Sequence, residues 1–296
     1  MIEQVIADIF VPKYFHSYLK DLRYFYFKNK LKKFSKISVD EIESIIINQL
    51  GVTTDSVVFV HSSLDKLNID FIGFKILSIL LNIVGPRGTL LFPSSHLTGR
   101  AIHSLKKGVI FDIKFSHTTM GILSELARRN KNAYRSLHPT NSVVAIGKYS
   151  KELTNSHSES IHPCDKNSPY YKMIKYNPII IGLGVSTSIL TFVHCVEDVL
   201  GDEFPVKVRT NEVFKCQVLD YDGEKQIIET TATNWRHNFG NNVRFIRNTI
   251  SKKIARDFTV KGAKFFTAKG SLLYNEMEYL ARKGITRYPK MIYRKF

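Results

Sequence analysis

Cysteine is scarce in this 296-residue sequence, and the residues present are widely separated: Cys164, Cys195 and Cys216. So few cysteines at such spacing exclude a disulfide framework and a zinc ribbon. Long apolar runs are missing too, since none reaches the ~20 residues that cross a bilayer. The first eight residues lack the basic and apolar segments of a signal peptide. We therefore expect a cytoplasmic protein with reduced thiols.

Acidic residues are also few: 26 Asp and Glu stand against 43 Lys and Arg, which gives a formal net charge of +17. Residues 11–36 interleave eight Lys or Arg with eight Tyr or Phe. This composition is typical of a contact with a membrane surface or another polyanion, and equally of an extra helix whose aromatic face packs on the main domain. A membrane contact would place the protein at the inner membrane face. No nucleic-acid motif accompanies the charge, so no nucleic acid is expected as a partner.

Strands and helices alternate once this basic, aromatic extension (residues 1–37) ends. Ser38 and Glu41 form the pattern of a capped helix start. Buried strands are predicted at 56–61, 89–92 and 142–146, and helices at 72–84, 120–129 and 149–156. The alternation predicts an α/β fold with a mainly parallel central sheet flanked by helices.

The pattern changes near residue 206. Two apolar segments flank an Asp-Gly turn signal and predict a hairpin of Val213–Asp220 and Gln226–Thr231. Helices are predicted at 241–258 and 270–283. The main domain, 38–296, thus ends in a smaller antiparallel hairpin region (206–240) and a helical part (241–296).

The most informative stretch is residues 176–197. An apolar, β-branched strand ends at Gly182-x-Gly184, and hydroxyl residues then open a helical pattern. This pattern places His194 and Glu197 three residues apart and therefore on one helix face. A histidine beside a carboxylate is a candidate proton acceptor with its own orienting group. A histidine on a partly buried helix face without a catalytic role would show the same pattern.

Other segments carry polar side chains with two interpretations each. One follows a predicted strand and comprises His61, Ser62, Ser63 and Leu64. Its hydroxyls and N–H groups suit a phosphate or a thioester carbonyl, or simply cap a turn. His138 lies in a loop before a proline, where histidines are more often structural than catalytic. A metal site is not expected, because the helix lacks a second histidine at i+4.

Six segments occur in a set order: Val60–Leu64, Val84–Leu90, Met120–Glu125, Arg135–Thr140, Ser168–Pro169, and Ile181–Gly184 with Thr191–Glu197. Together they resemble the aminoglycoside 3-N-acetyltransferase family of antibiotic acetyltransferases. The resemblance covers about residues 38–205, and the C-terminal hairpin and helices look similar too. It implies acetyl-CoA as co-substrate and direct acetyl transfer to an amine of an amino sugar or an aminoglycoside.

The resemblance also implies roles for particular residues. His194 would be the catalytic base, Glu197 its orienting group, and His138 a substrate-positioning residue or second base. The residues implied in cofactor binding are His61, Ser62, Ser63, Leu64 and Ser168.

Two departures from the family pattern and two alternatives remain. Asn141 stands where the family usually has a histidine, and typical members lack the basic extension. Because a positive field repels a polycation, we hypothesise an acceptor amino sugar in an anionic setting.

One alternative is a non-catalytic protein on the same fold that binds a membrane surface or a polyanion. The other is a covalent acyl-enzyme on Cys164.

Overall fold

The computed structural model describes residues 21–293 apart from residues 23 and 27. The strands are β1 (Val57–Ser62), β2 (Thr89–Pro93), β3 (Phe111–Asp112), β4 (Ala133–Arg135), β5 (Val143–Gly147), β6 (Ile179–Leu183), β7 (Arg209–Leu219), β8 (Lys225–Thr233), β9 (Ala255–Val260) and β10 (Ala263–Lys269). The helices after residue 38 are α1 (Val39–Ser44), α2 (Lys75–Val84), α3 (Ala101–Lys106), α4 (Ile122–Arg128), α5 (Ser150–Thr154), α6 (Pro169–Lys172), α7 (Val193–Leu200), α8 (Asn242–Thr249) and α9 (Gly270–Arg282). Short 3₁₀ segments include Leu64–Lys66, Thr187–Ile189 and Trp235–Phe239.

A seven-stranded sheet forms the centre of the fold, in the order β4-β5-β2-β1-β6-β10-β9. Strand β1 pairs in parallel with β2 and β6, and the flanking strands pair antiparallel. A separate three-stranded sheet has the order β3-β7-β8, in which β7 and β8 form the predicted hairpin. The predicted α/β class and the smaller antiparallel region are confirmed, and the parallel pairing is concentrated in the three central strands.

Apolar side chains cover both faces of the central sheet. Along β1, Val57 and Phe59 belong to one core, together with residues of α7, α8 and α9. Val58 and Val60 point to the opposite face and join α1, α2 and α4 in a second core. This alternation is what a strand buried on both faces requires. Because both faces are filled, the strand ends and their loops are left as the place for a site.

The predicted helix start at Ser38 is confirmed by the cap of α1. The Ser38 hydroxyl accepts the backbone N–H of Glu41 at 3.2 Å, and the Glu41 carboxylate accepts the Ser38 N–H at 2.9 Å. The two bonds together form the predicted capping box, which satisfies N–H groups that have no partner within the helix.

The prediction of a helix over 241–258 is wrong in its second half. Helix α8 ends at Thr249, and β9 and β10 follow as an antiparallel hairpin at the sheet edge. Lys261 and Gly262 both have positive φ, as a tight hairpin turn requires. Pairing of β10 with β6 supplies the backbone hydrogen bonds, so this tertiary contact decides the local structure.

The helix that carries His194 also starts later than expected. A 3₁₀ segment, Thr187–Ile189, follows the glycines, and α7 begins only at Val193. Thr187 donates its N–H and its hydroxyl to the two carboxylate oxygens of Asp257, at 2.7 and 2.6 Å. This anchor to β9 holds the segment outside a regular helix.

The C-terminal end of the basic extension packs on the domain. The described residues of 21–31 are helical, and Leu31 is buried. Phe25 and Tyr26 are 63% and 73% exposed, so these two rings do not pack on the domain. Residues 11–20 of the proposed membrane or polyanion contact lie outside the described residues, and that contact stays a prediction. Within the described part of the chain, no helix combines the length and the apolarity needed to cross a membrane.

Candidate active site

A cavity of about 780 Å³ lies between loops of the central sheet and the second sheet. Its walls come from the loop after β2, the turn before β5, the start of α7, and strands β7 and β8 with the segment after them. Lining side chains include Arg100, Asn141, His194, Trp235 and His237. The cavity adjoins the carboxyl end of the parallel strand β2, the edge where open α/β sheets commonly bind ligands.

His194 is in the first turn of α7, and its side chain is 14% exposed. Its Nδ1 lies 2.6 Å from Glu197 Oε2, so the i,i+3 spacing does bring the two side chains together. An ionised carboxylate only accepts hydrogen bonds, so His194 must donate from Nδ1. The lone pair of the neutral ring is then on Nε2. His194 is thus in the tautomer that a proton acceptor needs.

Glu197 is held by a second set of partners deeper in the protein. Its Oε1 accepts hydrogen bonds from Arg287 Nε at 2.7 Å and from the Tyr288 hydroxyl at 2.9 Å. Burial alone would raise the pKa of Glu197, but the Arg287 guanidinium and His194 hold it well below its usual range. The carboxylate is therefore ionised throughout the pH range in which a histidine titrates.

His237 is a second imidazole in the cavity wall. Its ring centroid lies 4.9 Å from that of His194, and its Nδ1 lies 3.1 Å from Arg287 Nη2. A guanidinium can only donate, so the proton of neutral His237 is on Nε2. Burial, with His194 and Arg287 nearby, lowers the pKa of His237 to about 3. His237 is therefore a neutral hydrogen-bond donor beside the candidate base.

His194, Glu197 and His237 place their potential metal-ligand atoms within 4.8 Å of one another. The donor set nevertheless fits a guanidinium better than a metal ion. Arg287 already bonds both Glu197 Oε1 and His237 Nδ1. A metal cation would meet that permanent positive charge at short range, in a place where little water screens it.

His138 lies behind the cavity wall and is fully buried. Its Nδ1 accepts the backbone N–H groups of Thr140 and Asn141, at 3.3 and 3.4 Å. Its ring stacks on His157 with centroids 4.4 Å apart. Burial and the neighbouring His157 lower the pKa of His138 well below its ordinary value. This geometry supports an indirect role, in which His138 fixes the turn that brings Thr140 and Asn141 into the cavity.

The turn after β1 lies beside the cavity. Met120 lines the cavity, and a Cβ built on the next residue, Gly121, would be 3.6 Å from the Ser62 carbonyl oxygen. Ser63 donates its backbone N–H to Leu183 O at 2.9 Å and its hydroxyl to Asp65 at 2.5 Å. Ser63 therefore has no free donor for a thioester in this arrangement. Leu64, which follows it, packs against the second core.

The other two proposed cofactor residues lie in the interior. His61 is 2% exposed between the Phe59 and Phe266 rings, with centroids 4.9 and 5.9 Å away. Burial lowers its pKa to about 3. The Ser168 hydroxyl is engaged as the cap of α6, where it accepts the Tyr171 N–H and donates to Asp165 O. Both side chains have structural roles here, and cofactor contacts by them stay predictions.

Cys164, the alternative nucleophile, is fully buried beneath α7. Its backbone N–H donates to Asp198 at 2.8 Å. Burial and the Asp198 carboxylate raise the pKa of the Cys164 thiol well above its ordinary value. A buried thiol that holds its proton this firmly is a poor nucleophile.

Sequence reasoning missed His237, Arg287 and Tyr288. They are 40 or more residues from Glu197 in the chain, and Arg287 lies among other basic residues near the C-terminus. Arg287 also bonds Asn242 Oδ1 at 3.0 Å, which ties the site to α8. No local spacing marks these residues, because the contacts form only when the C-terminal part folds against α7.

Comparisons with known proteins assign the chain to a class of acyltransferases that act on amines. A family model described as aminoglycoside 3-N-acetyltransferase matches residues 59–280, and the chain belongs to this family. An aminoglycoside N(3)-acetyltransferase III of Acinetobacter baumannii is 27% identical, over 60% of this chain and 68% of its own. An aminoglycoside N(3)-acetyltransferase IX of Micromonospora chalcea is 26% identical, over 60% and 70%.

Solved structures agree on the fold. The aminoglycoside acetyltransferase AAC(3)-Xa superimposes with a TM-score of 0.72 and 18% identity, over 90% of this chain and 99% of its own. AAC-IIIb, solved in a binary complex with CoASH, gives 0.67 and 16%, over 82% and 96%. An AAC(3)-IVa variant in complex with a gentamicin gives 0.67 and 21%, over 84% and 90%. The predicted family and fold are confirmed.

Proposed function

We propose that this protein transfers the acetyl group of acetyl-CoA directly to a primary amine of an amino sugar, with His194 as the catalytic base. The observation that carries the proposal is the hydrogen bond between the His194 imidazole, at the cavity wall, and the Glu197 carboxylate. His194 has its Nδ1 tied to a buried, ionised Glu197, so its other nitrogen is left to take a proton.

The chemistry needs such a base because an aliphatic amine is mostly an ammonium ion at neutral pH. The amine must lose a proton before or during its attack on the thioester carbonyl. As the amide bond forms, the carbon–sulfur bond of the thioester breaks and coenzyme A is released as its thiol. His194 accepts that proton on Nε2, and the imidazolium that forms is stabilised by Glu197. Arg287 and Tyr288 hold the carboxylate in place through the second oxygen. Neutral His237 adds no competing positive charge next to the imidazolium.

Acetyl-CoA as the co-substrate is supported by the family and by the CoASH complex of AAC-IIIb. The turn after β1, Ser62 to Leu64, and the adjoining Met120 wall are the part of this chain proposed to contact it. Bound there, acetyl-CoA supplies an activated acyl group, and the enzyme holds the amine near it.

Initial-rate kinetics with acetyl-CoA and a panel of amino sugars test the proposal through thiol release. Direct transfer predicts intersecting double-reciprocal lines and nearly normal activity of Cys164→Ala. The matched control is Cys216→Ala, which removes a buried thiol from the second sheet. Parallel lines together with an acetylated Cys164 would refute direct transfer. Absence of thiol release with every amine would refute the acetyltransferase assignment.

A further inference from the structure

The charge of the residues that line the cavity indicates which charge the acceptor substrate carries. Among the described residues that line it, none is Asp or Glu, whereas Arg100, Arg209 and three histidines are present. The histidines are His103, His194 and His237. A site that binds a polycation is expected to offer carboxylates to its ammonium groups. This wall offers none.

The two carboxylates of α7 behind the wall, Glu197 and Asp198, do not change this balance, because each is already matched by a guanidinium. Asp198 accepts two hydrogen bonds from Arg209, at 2.7 and 2.5 Å. Glu197 is paired with Arg287 through one hydrogen bond, from Nε to Oε1 at 2.7 Å. Arg100 is exposed in the cavity wall and forms no ion pair with any described residue. Its charge is therefore uncompensated.

The lining also contains a flat apolar surface. Trp235, the single tryptophan of the sequence, lines the cavity and is 55% exposed. Arg236 covers one face of its ring, at 4.7 Å from the centroid. An exposed indole buries a large apolar area when a ligand packs on it, and the apolar face of a sugar ring suits such packing. The wall thus combines an aromatic surface, an unpaired cation and a base.

We propose that the acceptor is an amino sugar that carries an anionic substituent, either a phosphate or a carboxylate. Arg100 binds the anion, Trp235 packs against the sugar, and the amine is presented to His194. The inference rests on the proposed acetyl transfer and narrows it to a substrate class. It separates this chain from relatives such as the AAC(3)-IVa variant solved with a gentamicin, a polyamine.

Matched acceptors test the anion requirement in steady-state kinetics. Glucosamine and glucosamine 6-phosphate present the same amine and differ by one phosphate, while glucosaminuronic acid provides the carboxylate. We expect kcat/KM to be about tenfold or more higher for the anionic sugars, and this preference to shrink as salt is added. Arg100→Ala should remove most of the preference and Arg100→Lys should retain part of it. Arg247→Ala, which removes an exposed charge from α8 outside the cavity, is the control.

A binding measurement keeps the inference testable even if none of these amines is acetylated. Because Trp235 is the single tryptophan, its fluorescence reports ligands in the cavity without any turnover. Glucosamine 6-phosphate should bind more tightly than glucosamine and more tightly than tobramycin, a polycation. Tighter binding or faster acetylation of tobramycin, or a phosphate preference unaffected by Arg100→Ala, would overturn the inference. Failure of the proposed function would instead appear as absent thiol release with the binding preference intact.

Discussion

At the scale of single residues, Glu197 joins the catalytic and the structural parts of the site. One oxygen bonds His194, and the other accepts from Arg287 and Tyr288. A buried carboxylate of this kind is stable only while its partners remain, because each partner compensates for lost hydration. Removing the charge of Glu197 therefore affects the tautomer of His194 and also leaves the buried Arg287 guanidinium without its ion-pair partner.

Glu197→Gln should lower kcat by about 10²–10⁴. The amide cannot stabilise an imidazolium, and it offers His194 the wrong hydrogen-bond pattern in one of its two orientations. The measurement is kcat and KM on the folded variant, with folding checked by circular dichroism. Glu203→Gln changes an exposed carboxylate and serves as the control. A kcat within about threefold of wild type would show that His194 works without its carboxylate.

The same residues show which contacts of the site can be predicted from the sequence. His194 and Glu197 could be paired from their spacing, since residues three apart share a helix face. His237 and Arg287 could not, because they meet Glu197 only through the packing of the C-terminal part on α7. His138, prominent in the motif, is buried, and no local pattern separates a histidine that holds a turn from one that meets a ligand.

At the scale of elements, the 3₁₀ segment Trp235–Phe239 and the chain after α9 meet at Gly240. This glycine has an ordinary φ of −67°, so its backbone does not require glycine. The lack of space at this position requires it, because an added Cβ would lie 2.3 Å from Arg287 Nη1 and 2.5 Å from its Cζ. The guanidinium is fixed by Glu197, Asn242 and His237, so it cannot move without losing those bonds.

Gly240→Ala should therefore displace Arg287 and lower both stability and activity. We expect a loss of about 1–3 kcal/mol in unfolding free energy, the usual cost of overpacking, together with a reduced kcat. The test is a double-mutant cycle with Arg287→Ala, followed by urea unfolding and steady-state kinetics. If the glycine acts through the guanidinium, its effect largely disappears in the Arg287→Ala background. Equal effects in both backgrounds would contradict this explanation.

Helices and strands were predicted well where a local turn or cap motif marks them, and poorly where they depend on pairing with a strand distant in the chain. The β7–β8 hairpin follows from its Asp-Gly turn and the start of α1 from its capping box. The β9–β10 hairpin was missed because strand β9 is an edge strand whose apolar alternation is weak. Its partner β10 is stabilised by β6, about 80 residues earlier in the chain.

At the scale of the whole molecule, several histidines are buried without charge. Burial lowers the pKa of His61 and of His157 to about 3, and burial together with the neighbouring His157 lowers the pKa of His138 well below its ordinary value. In the unfolded chain these side chains bind protons near pH ~6.5. Below that pH the unfolded state takes up more protons than the folded state, so the unfolding free energy falls.

Lowering the pH from about 7.5 to about 5.5 should cost about 1.4 kcal/mol for each such histidine. For these three the loss is about 4 kcal/mol, and it occurs above the range in which carboxylates titrate. Urea unfolding at the two pH values measures it. His61→Leu keeps an apolar side chain between Phe59 and Phe266 and should reduce the measured loss by about 1.4 kcal/mol, the share of one titrating ring. An unfolding free energy that does not change over this range would contradict the neutral burial of these rings.

The most direct test of the account is chemical rescue of His194→Ala. If this imidazole removes the proton of the incoming amine, the variant should lose about 10²–10⁴ in kcat/KM, while its affinity for coenzyme A is unchanged. Added imidazole should restore part of the rate, and raising the pH should narrow the gap to wild type because more of the acceptor is then unprotonated. A folded His194→Ala enzyme with wild-type kcat/KM at neutral pH would show that the proton leaves by another route.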